Sequence, residues 1–254
     1  MHRFQDQHVL VAGASSGIGA AIARTLAREG ARLTLSGRNE DKLRMLADEI
    51  ARLGATPAHV APCDLRDAAA RAALLRDGAS AHGRYNALVC AAGHHRLKPL
   101  GPGYGDSLAE HLAINVEAPL ELVRGFVARA VSDDGAQRSV TLIASIAHRL
   151  GEPALSAYAA SKAALVAGAR SLAVELARKN VRVNTVSPGW VFGDAADRVG
   201  RALPEAALAG IAASYPLGFG TPGDVAEAVA WLASTGARWV TGTDLVVDGG
   251  RSCV

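Results

Sequence analysis

A tyrosine and a lysine stand four residues apart in the run Tyr158-Ala159-Ala160-Ser161-Lys162. On a helix that spacing sets both side chains on one face. A free phenol titrates near about 10, too high for easy proton exchange at neutral pH. An ammonium beside it favours the phenolate and lowers that value. The pair is therefore suited to exchanging a proton with a substrate oxygen. Ser145 ends an apolar run and can hydrogen-bond the same oxygen, holding it against Tyr158. Asn115 lies in an earlier helical stretch. Taken singly, each has a plainer reading: a surface helix contact for Tyr158 and Lys162, a turn residue for Ser145, a bond to a backbone group for Asn115.

A second constellation sits near the N-terminus, in Gly13-Ala14-Ser15-Ser16-Gly17-Ile18-Gly19. It follows an apolar run and opens a helical pattern, the context a dinucleotide site needs. Glycines let the chain turn tightly and let a pyrophosphate approach the backbone. The helix start then offers free N–H groups and a partial positive charge. The alternative is a Gly-rich strand-to-helix turn with Ser15 or Ser16 as its N-cap.

Positioning these groups falls to short apolar runs that alternate with amphipathic stretches. The runs are His8 to Ala12, Arg32 to Ser36, Ala58 to Pro62, Asn86 to Cys90, Ser139 to Ala144, Val181 to Val186 and Asp244 to Val247. They read as strands buried on both faces. Between them Ile18, Ile22 and Leu26, then Leu43, Leu46, Ile50 and Leu53, recur at helical spacing, and Gly30 and Gly54 end the two patterns. Strands alternating with helices predict right-handed βαβ crossovers. The fold class is α/β: a single doubly wound Rossmann domain over residues 1–254, with a seven-stranded parallel sheet and helices on both faces. The stretch from Pro188 to Pro216 is too long for a tight connection and reads as a substrate lid.

Composition narrows the function classes. The 254 residues carry a net charge of +3, with basic and acidic residues intermixed. No basic stripe interleaved with aromatics is present, which argues against nucleic acid as a partner. Three widely separated cysteines, Cys63, Cys90 and Cys253, point to small buried hydrophobes in a reducing compartment. No signal peptide is visible and no apolar stretch reaches the length of a membrane span, so a soluble cytoplasmic protein is expected.

The spacing Gly-x-x-x-Gly-x-Gly resembles that of the short-chain dehydrogenase/reductase family. Further features agree in order: Cys90-Ala91-Ala92-Gly93 after the fourth strand, Asn115 in the next helix, Ser145 after the fifth strand, Tyr158 to Lys162, and Pro188-Gly189 after the sixth. The resemblance runs from His8 to Gly250; from Leu203 to Gly250 it is to bacterial 3-oxoacyl-carrier-protein reductases and their relatives, in Tyr215-Pro216-Leu217-Gly218, Thr221-Pro222-Gly223-Asp224-Val225-Ala226 and Val246-Val247-Asp248-Gly249-Gly250, features shared by many sugar, steroid and small-alcohol dehydrogenases. It implies a catalytic tetrad of Asn115, Ser145, Tyr158 and Lys162. Lys162 would also grip the nicotinamide ribose, and Asn115 would anchor a proton path outward. It further implies that the cofactor is held by Gly13, Ser15, Ser16, Gly17, Ile18, Gly19, Arg38, Asp64, Leu65, Ala91, Ala92, Gly93, Tyr158, Lys162, Pro188, Gly189 and Val191. Asp64 resembles the residue that meets the adenine amino group. No metal is implied. The chain departs from the family where Ala12 replaces a Thr, where Cys90-Ala91 replaces paired Asn residues, and where Trp190-Val191-Phe192-Gly193 lacks the usual Thr.

Cofactor choice is read at the end of the second strand, Leu35-Ser36-Gly37-Arg38-Asn39. A carboxylate there bonds the ribose hydroxyls, whereas a basic group suits a 2′-phosphate. Gly37 takes the acid's place and Arg38 follows, so NADP(H) is preferred and NAD(H) is possible. Trp190, Val191 and Phe192, with the segment after Ser145, outline a partly apolar pocket; His94, His95 and His148 are its polar neighbours. The expected partner is a small-molecule ketone, 3-oxoacyl compound or secondary alcohol, with no membrane involved. The family resemblance and the surplus apolar residues Leu165, Leu172, Val174 and Leu176 point to a homotetramer. The alternatives are an NAD-dependent sugar or alcohol dehydrogenase and a non-catalytic dinucleotide-binding module.

Overall fold

The computed structural model describes residues 3–133, 135–192 and 205–254. Its strands are β1 (His8–Ala12), β2 (Arg32–Gly37), β3 (His59–Pro62), β4 (Ala87–Cys90), β5 (Arg138–Ile143), β6 (Val181–Pro188) and β7 (Asp244–Val247). They form one parallel sheet in the order β3-β2-β1-β4-β5-β6-β7. The order reverses direction between β1 and β4, so the crevice lies at the carboxyl ends of these two strands. β6 runs two residues further than its apolar pattern predicts, because β7 pairs alongside it as far as Pro188↔Val247.

The helices are α1 (Gly17–Arg28), α2 (Glu40–Arg52), α3 (Ala68–His82), α4 (Tyr104–Leu112), α5 (Ala118–Phe126), α6 (Ser156–Ala177), α7 (Glu205–Ala213) and α8 (Pro222–Ala233). The two-residue side-chain period of β1 sorts them into layers. Val9 and Val11 pack with residues of α1, α2 and α8, whereas Leu10 and Ala12 pack with residues of α3, α5 and α6. Helices therefore cover both faces of the sheet. Among the described residues no helix is long and apolar enough to cross a membrane. Cys63 and Cys90 are buried as expected, but Cys253 is exposed in the C-terminal turn, where no packing element covers it.

Of the expected lid, residues 193–204 lie outside the described residues. Its start is tied down: Phe192 N–H donates to the Gly220 carbonyl and Gly220 N–H to that of Trp190, both at 3.0 Å. The Trp190 ring stacks on Phe219, 5.4 Å between centroids.

Far from the crevice, at the amino end of β1, a buried imidazole holds the sheet edge to the α3–β4 connection. His8 Nδ1 donates to the Gly83 carbonyl at 2.7 Å, leaving Nε2 to accept from the Thr34 hydroxyl at 2.9 Å. Its ring stacks on Tyr85 at 4.1 Å. Burial favours the neutral ring and pushes its pKa down to about 4. A histidine whose folded pKa lies below the unfolded value contributes stability above about pH 6.5 that is lost as the pH falls toward 4. Acidification from pH 7.5 to 5 is expected to cost the protein about 2 kcal/mol through this residue. Urea unfolding of wild type and His8→Gln at both pH values checks it, since the variant's loss should be smaller by that amount.

Candidate active site

Four elements end at the crevice, and backbone contacts draw them together. The Ala12 carbonyl accepts from both Ala91 N–H, at 2.8 Å, and Ala92 N–H, at 3.0 Å. This bifurcated bond joins the turns after β1 and β4. With Ala12, Cys90 and Ala91 in place of the Thr and paired Asn, the two turns meet here through main chain. Gly13 makes the approach possible. A Cβ on it would lie 2.3 Å from Ala92 N, well inside contact distance.

Beyond Gly13 the chain enters α1. Ser16 occupies the N-cap position but its side chain makes no capping bond, so the N-cap alternative for Ser16 is not realised. The first-turn N–H groups thus keep their capacity for an external acceptor. Gly17 has φ +54°, and a Cβ there would meet nothing within 4 Å. An open approach to unsatisfied helix N–H groups fits a pyrophosphate. At the neighbouring strand end a Cβ on Gly37 would crowd Ser15 Oγ at 3.1 Å. Arg38 is exposed beside it. Asp64 is not free, however. Arg66 grips it through a 2.5 Å ion pair and a 3.0 Å backbone bond, and this drives its carboxyl pKa down to about 2. Arg38 adds its positive charge. Leu65 is buried behind this corner. The sequence reading did not single out Arg66, because an exposed arginine two residues from an aspartate has no distinguishing pattern.

At the other end of the crevice the four expected catalytic residues converge. α4 and α5 form one continuous helix broken by a π-turn over Ala113–Glu117, and Asn115 sits in that turn, fully buried. Its Oδ1 accepts from His94 N–H at 2.7 Å, and its Nδ2 donates to the His94 carbonyl and to Ser161 Oγ, both at 2.9 Å. The amide therefore clamps the turn after Gly93 onto α6. Ser161 in turn donates to the Tyr158 carbonyl at 2.7 Å. The wide helical turn is not visible in residue spacing, although such bulges recur at functional sites.

Lys162 is buried, and its Nζ donates to the Ile143 carbonyl at 2.7 Å. A Cβ on Gly93 would lie 3.5 Å from that Nζ and 3.6 Å from Asn115 Oδ1, so both side chains meet at this glycine. Burial lowers the Lys162 pKa to about 8. Nζ stands 5.8 Å from the Tyr158 ring centroid. Burial raises the Tyr158 phenol above its ordinary value, with a hydrogen bond to Ser145 opposing the shift. The expected lowering by the ammonium is thus not what the chain alone produces. Desolvation is the largest cause at both groups, and Nζ is engaged with a carbonyl. Ser145 caps a short 3₁₀ turn, its Oγ accepting from Ala147 N–H at 3.2 Å. Paired Tyr158 and Ser145 hydroxyls can pinch one substrate oxygen and give it a proton.

Histidines ring this pair. His95 packs edge-on against Tyr158, 4.7 Å between centroids, and His111 lies 6.0 Å away. His111, fully buried on α4, had no signal in the sequence beyond its helical position. Behind Pro188, Gly189 N–H donates to the Val247 carbonyl at 2.9 Å, and Trp190 N–H donates to the Tyr215 hydroxyl at 3.0 Å. Val191 pairs with Gly220.

Comparison with known proteins agrees with this geometry. A family profile described as enoyl-(acyl carrier protein) reductase matches residues 13–252. Curated relatives include the oxidoreductase UcpA of Escherichia coli K12, 34% identical over 99% of this chain and 97% of its own. The 3-oxoacyl-[acyl-carrier-protein] reductase FabG of Rickettsia conorii is 34% identical over 96% of each chain. Among solved structures, a 7α-hydroxysteroid dehydrogenase complexed with NADH and 7-oxo glycochenodeoxycholic acid superposes with a TM-score of 0.91, at 29% identity over 98% of this chain and 96% of its own. A variant actinorhodin polyketide ketoreductase with NADPH superposes with a TM-score of 0.92, at 30% identity over 98% of each chain.

Proposed function

The chain belongs to the short-chain dehydrogenase/reductase family of oxidoreductases acting on CH–OH and C=O groups, and within it we propose an NADPH-dependent reductase of a ketone or 3-oxoacyl substrate. The observation that carries this reading is the Tyr158–Ser145 hydroxyl pair with buried Lys162 beside it, at the end of a crevice whose other end is an uncapped helix N-terminus. When bound, the nicotinamide supplies or accepts the hydride at the substrate carbon. Gly13, Ser15, Ser16, Gly17, Ile18 and Gly19 would hold its pyrophosphate. Asp64 and Leu65 would flank the adenine. Ala91, Ala92, Gly93, Pro188, Gly189 and Val191 would wall the nicotinamide half.

Ser145 donates to the substrate oxygen and fixes it against Tyr158. Tyr158 gives its proton to that oxygen as negative charge builds there. A phenol that keeps its proton at neutral pH is suited to this acid role. Lys162, with its pKa near 8, and Asn115 meet at Gly93, and we assign them the return of a proton to Tyr158. The NADPH-bound and NADH-bound relatives show that this fold accepts either nucleotide. Arg38 favours the phosphorylated one. Arg66, held on Asp64, adds a second guanidinium to that corner. The segment from Pro188 to Pro216 closes over the substrate in this reading.

The groove between α5 and α6 supports self-association, and we propose a homotetramer. Leu120, Val123, Val127, Leu172 and Leu176 line it. Leu165 and Leu176 belong to the core, but Val174 is 79% exposed. Light scattering at micromolar concentration should return four chain masses, and a stable monomer would refute the assembly.

Two substitutions test the chemistry. Tyr158→Phe should lower kcat by about 10²-fold or more while NADPH affinity stays nearly intact. Turnover above about a tenth of wild type would remove Tyr158 from the proton's path. A protein that binds NADPH and turns over no member of a broad carbonyl panel would be a binding module instead. For the cofactor, a charge-assisted hydrogen bond from Arg38 is worth about 1.5–3 kcal/mol, or roughly ten- to a hundredfold in kcat/KM for NADPH over NADH. Arg38→Ala should erase most of that ratio, and an unchanged ratio would make Arg38 a solvated loop residue.

A further inference from the structure

Asp244 opens β7 and is buried, its side chain only 1% exposed. Its strand pairing needs no charge, since β7 is held to β6 by backbone bonds over Thr185 to Pro188. A carboxylate so placed is costly unless every lone pair is used. Here four are used. Oδ1 accepts from Ser187 Oγ at 2.6 Å and Thr185 Oγ1 at 2.8 Å. Oδ2 accepts from His148 Nε2 at 3.0 Å and Arg149 at 2.8 Å. Thr185 and Ser187 are two residues apart on β6 and so share a face. The other two donors come from one place, the turn that begins at Ser145.

That turn is therefore bracketed. On its entering side, Ala144 N–H donates to the Val186 carbonyl at 2.7 Å. On its leaving side, His148 and Arg149 end on Asp244. Between them lie only Ser145 and the buried Ile146 and Ala147. The same carboxylate, through Ser187, fixes the residue before Pro188 and Gly189. We infer that Asp244, with His148 as its arm, is a positioning residue that sets the Ser145 hydroxyl and locks the Ser145 turn to the strand end carrying Pro188. It touches no reacting atom. The effect of its His148 arm reaches the chemistry through Ser145, which makes the inference dependent on the proposed role of Ser145.

The arm can be cut without emptying the buried carboxylate's other bonds. His148→Ala leaves Thr185, Ser187 and Arg149 on Asp244. It should lower kcat about tenfold, because a small displacement of a positioned group is costly in rate, with NADPH Kd held within about twofold. His148→Gln keeps a donor on the side chain and should recover most of the loss. In a Ser145→Ala background, adding His148→Ala should change kcat by less than about twofold, because two steps on one path are not additive. Wild-type kcat in His148→Ala, additive losses in the double variant, or a parallel loss of NADPH affinity would each overturn the inference. A wild-type protein that binds NADPH without turnover would overturn the proposed reductase activity instead, and so separates the two failures.

Discussion

The site depends on one steric constraint, the contact between the turns after β1 and β4. These strands are neighbours at the reversal of the sheet, and only a residue without Cβ lets Gly13 reach Ala92. Once the two turns touch, the Ala12 carbonyl can serve both Ala91 and Ala92, and Gly93 is delivered to a fixed point. Asn115 and Lys162 then converge on that glycine from different helices. The uncapped start of α1 and the end of the crevice that holds Tyr158 and Lys162 are thus held in register by a contact that belongs to neither.

Desolvation governs titrating groups in two separate parts of the fold. Lys162 and Tyr158 at the crevice, and His8 at the amino end of β1, are all shifted toward their neutral forms by burial. For His8 the outcome is structural, since its two ring nitrogens are both bonded as the neutral ring requires. For Tyr158 and Lys162 the outcome is chemical: a phenol that holds its proton lies near an amine that parts with one more readily. Asp244 is the contrasting case. Its donors outweigh burial and keep its carboxyl below the usual range. The difference lies in the donors: Ser187, Thr185, Arg149 and His148 serve Asp244, whereas Tyr158 has its bond to Ser145.

The turn after β3 shows how a local pattern changes meaning in three dimensions. The family resemblance implies that Asp64 meets an adenine amino group. In the structure it is bound to Arg66 and feels Arg38 as well. Its negative charge is offset there by the Arg66 and Arg38 guanidiniums.

The alternation of short, largely apolar runs with helical spacing was enough to place all seven strands within a residue or two, because strands of a sheet covered on both faces are rich in Val, Leu and Ile. The edge strands β3 and β7, expected to be buried on both faces, are only half-buried because each has a single neighbour. Pattern was likewise enough for Tyr158 and Lys162, whose shared face follows from helical geometry, and for the glycine turn, whose spacing carries the steric demand with it. Asn115, Ser145, Tyr158 and Lys162 are grouped in the sequence by the family resemblance, and the fold brings them to one end of the crevice. What spacing does not carry is any contact between residues distant in the chain. His148 and Asp244 are 96 positions apart, and Asn115 and Ser161 are 46 apart. Nor does it carry the π-turn that aims Asn115, or the burial that reverses the expected shift at Tyr158. Local periodicity reports which face of an element is apolar. Only the packed sheet decides which polar atoms lose water and which partners replace it.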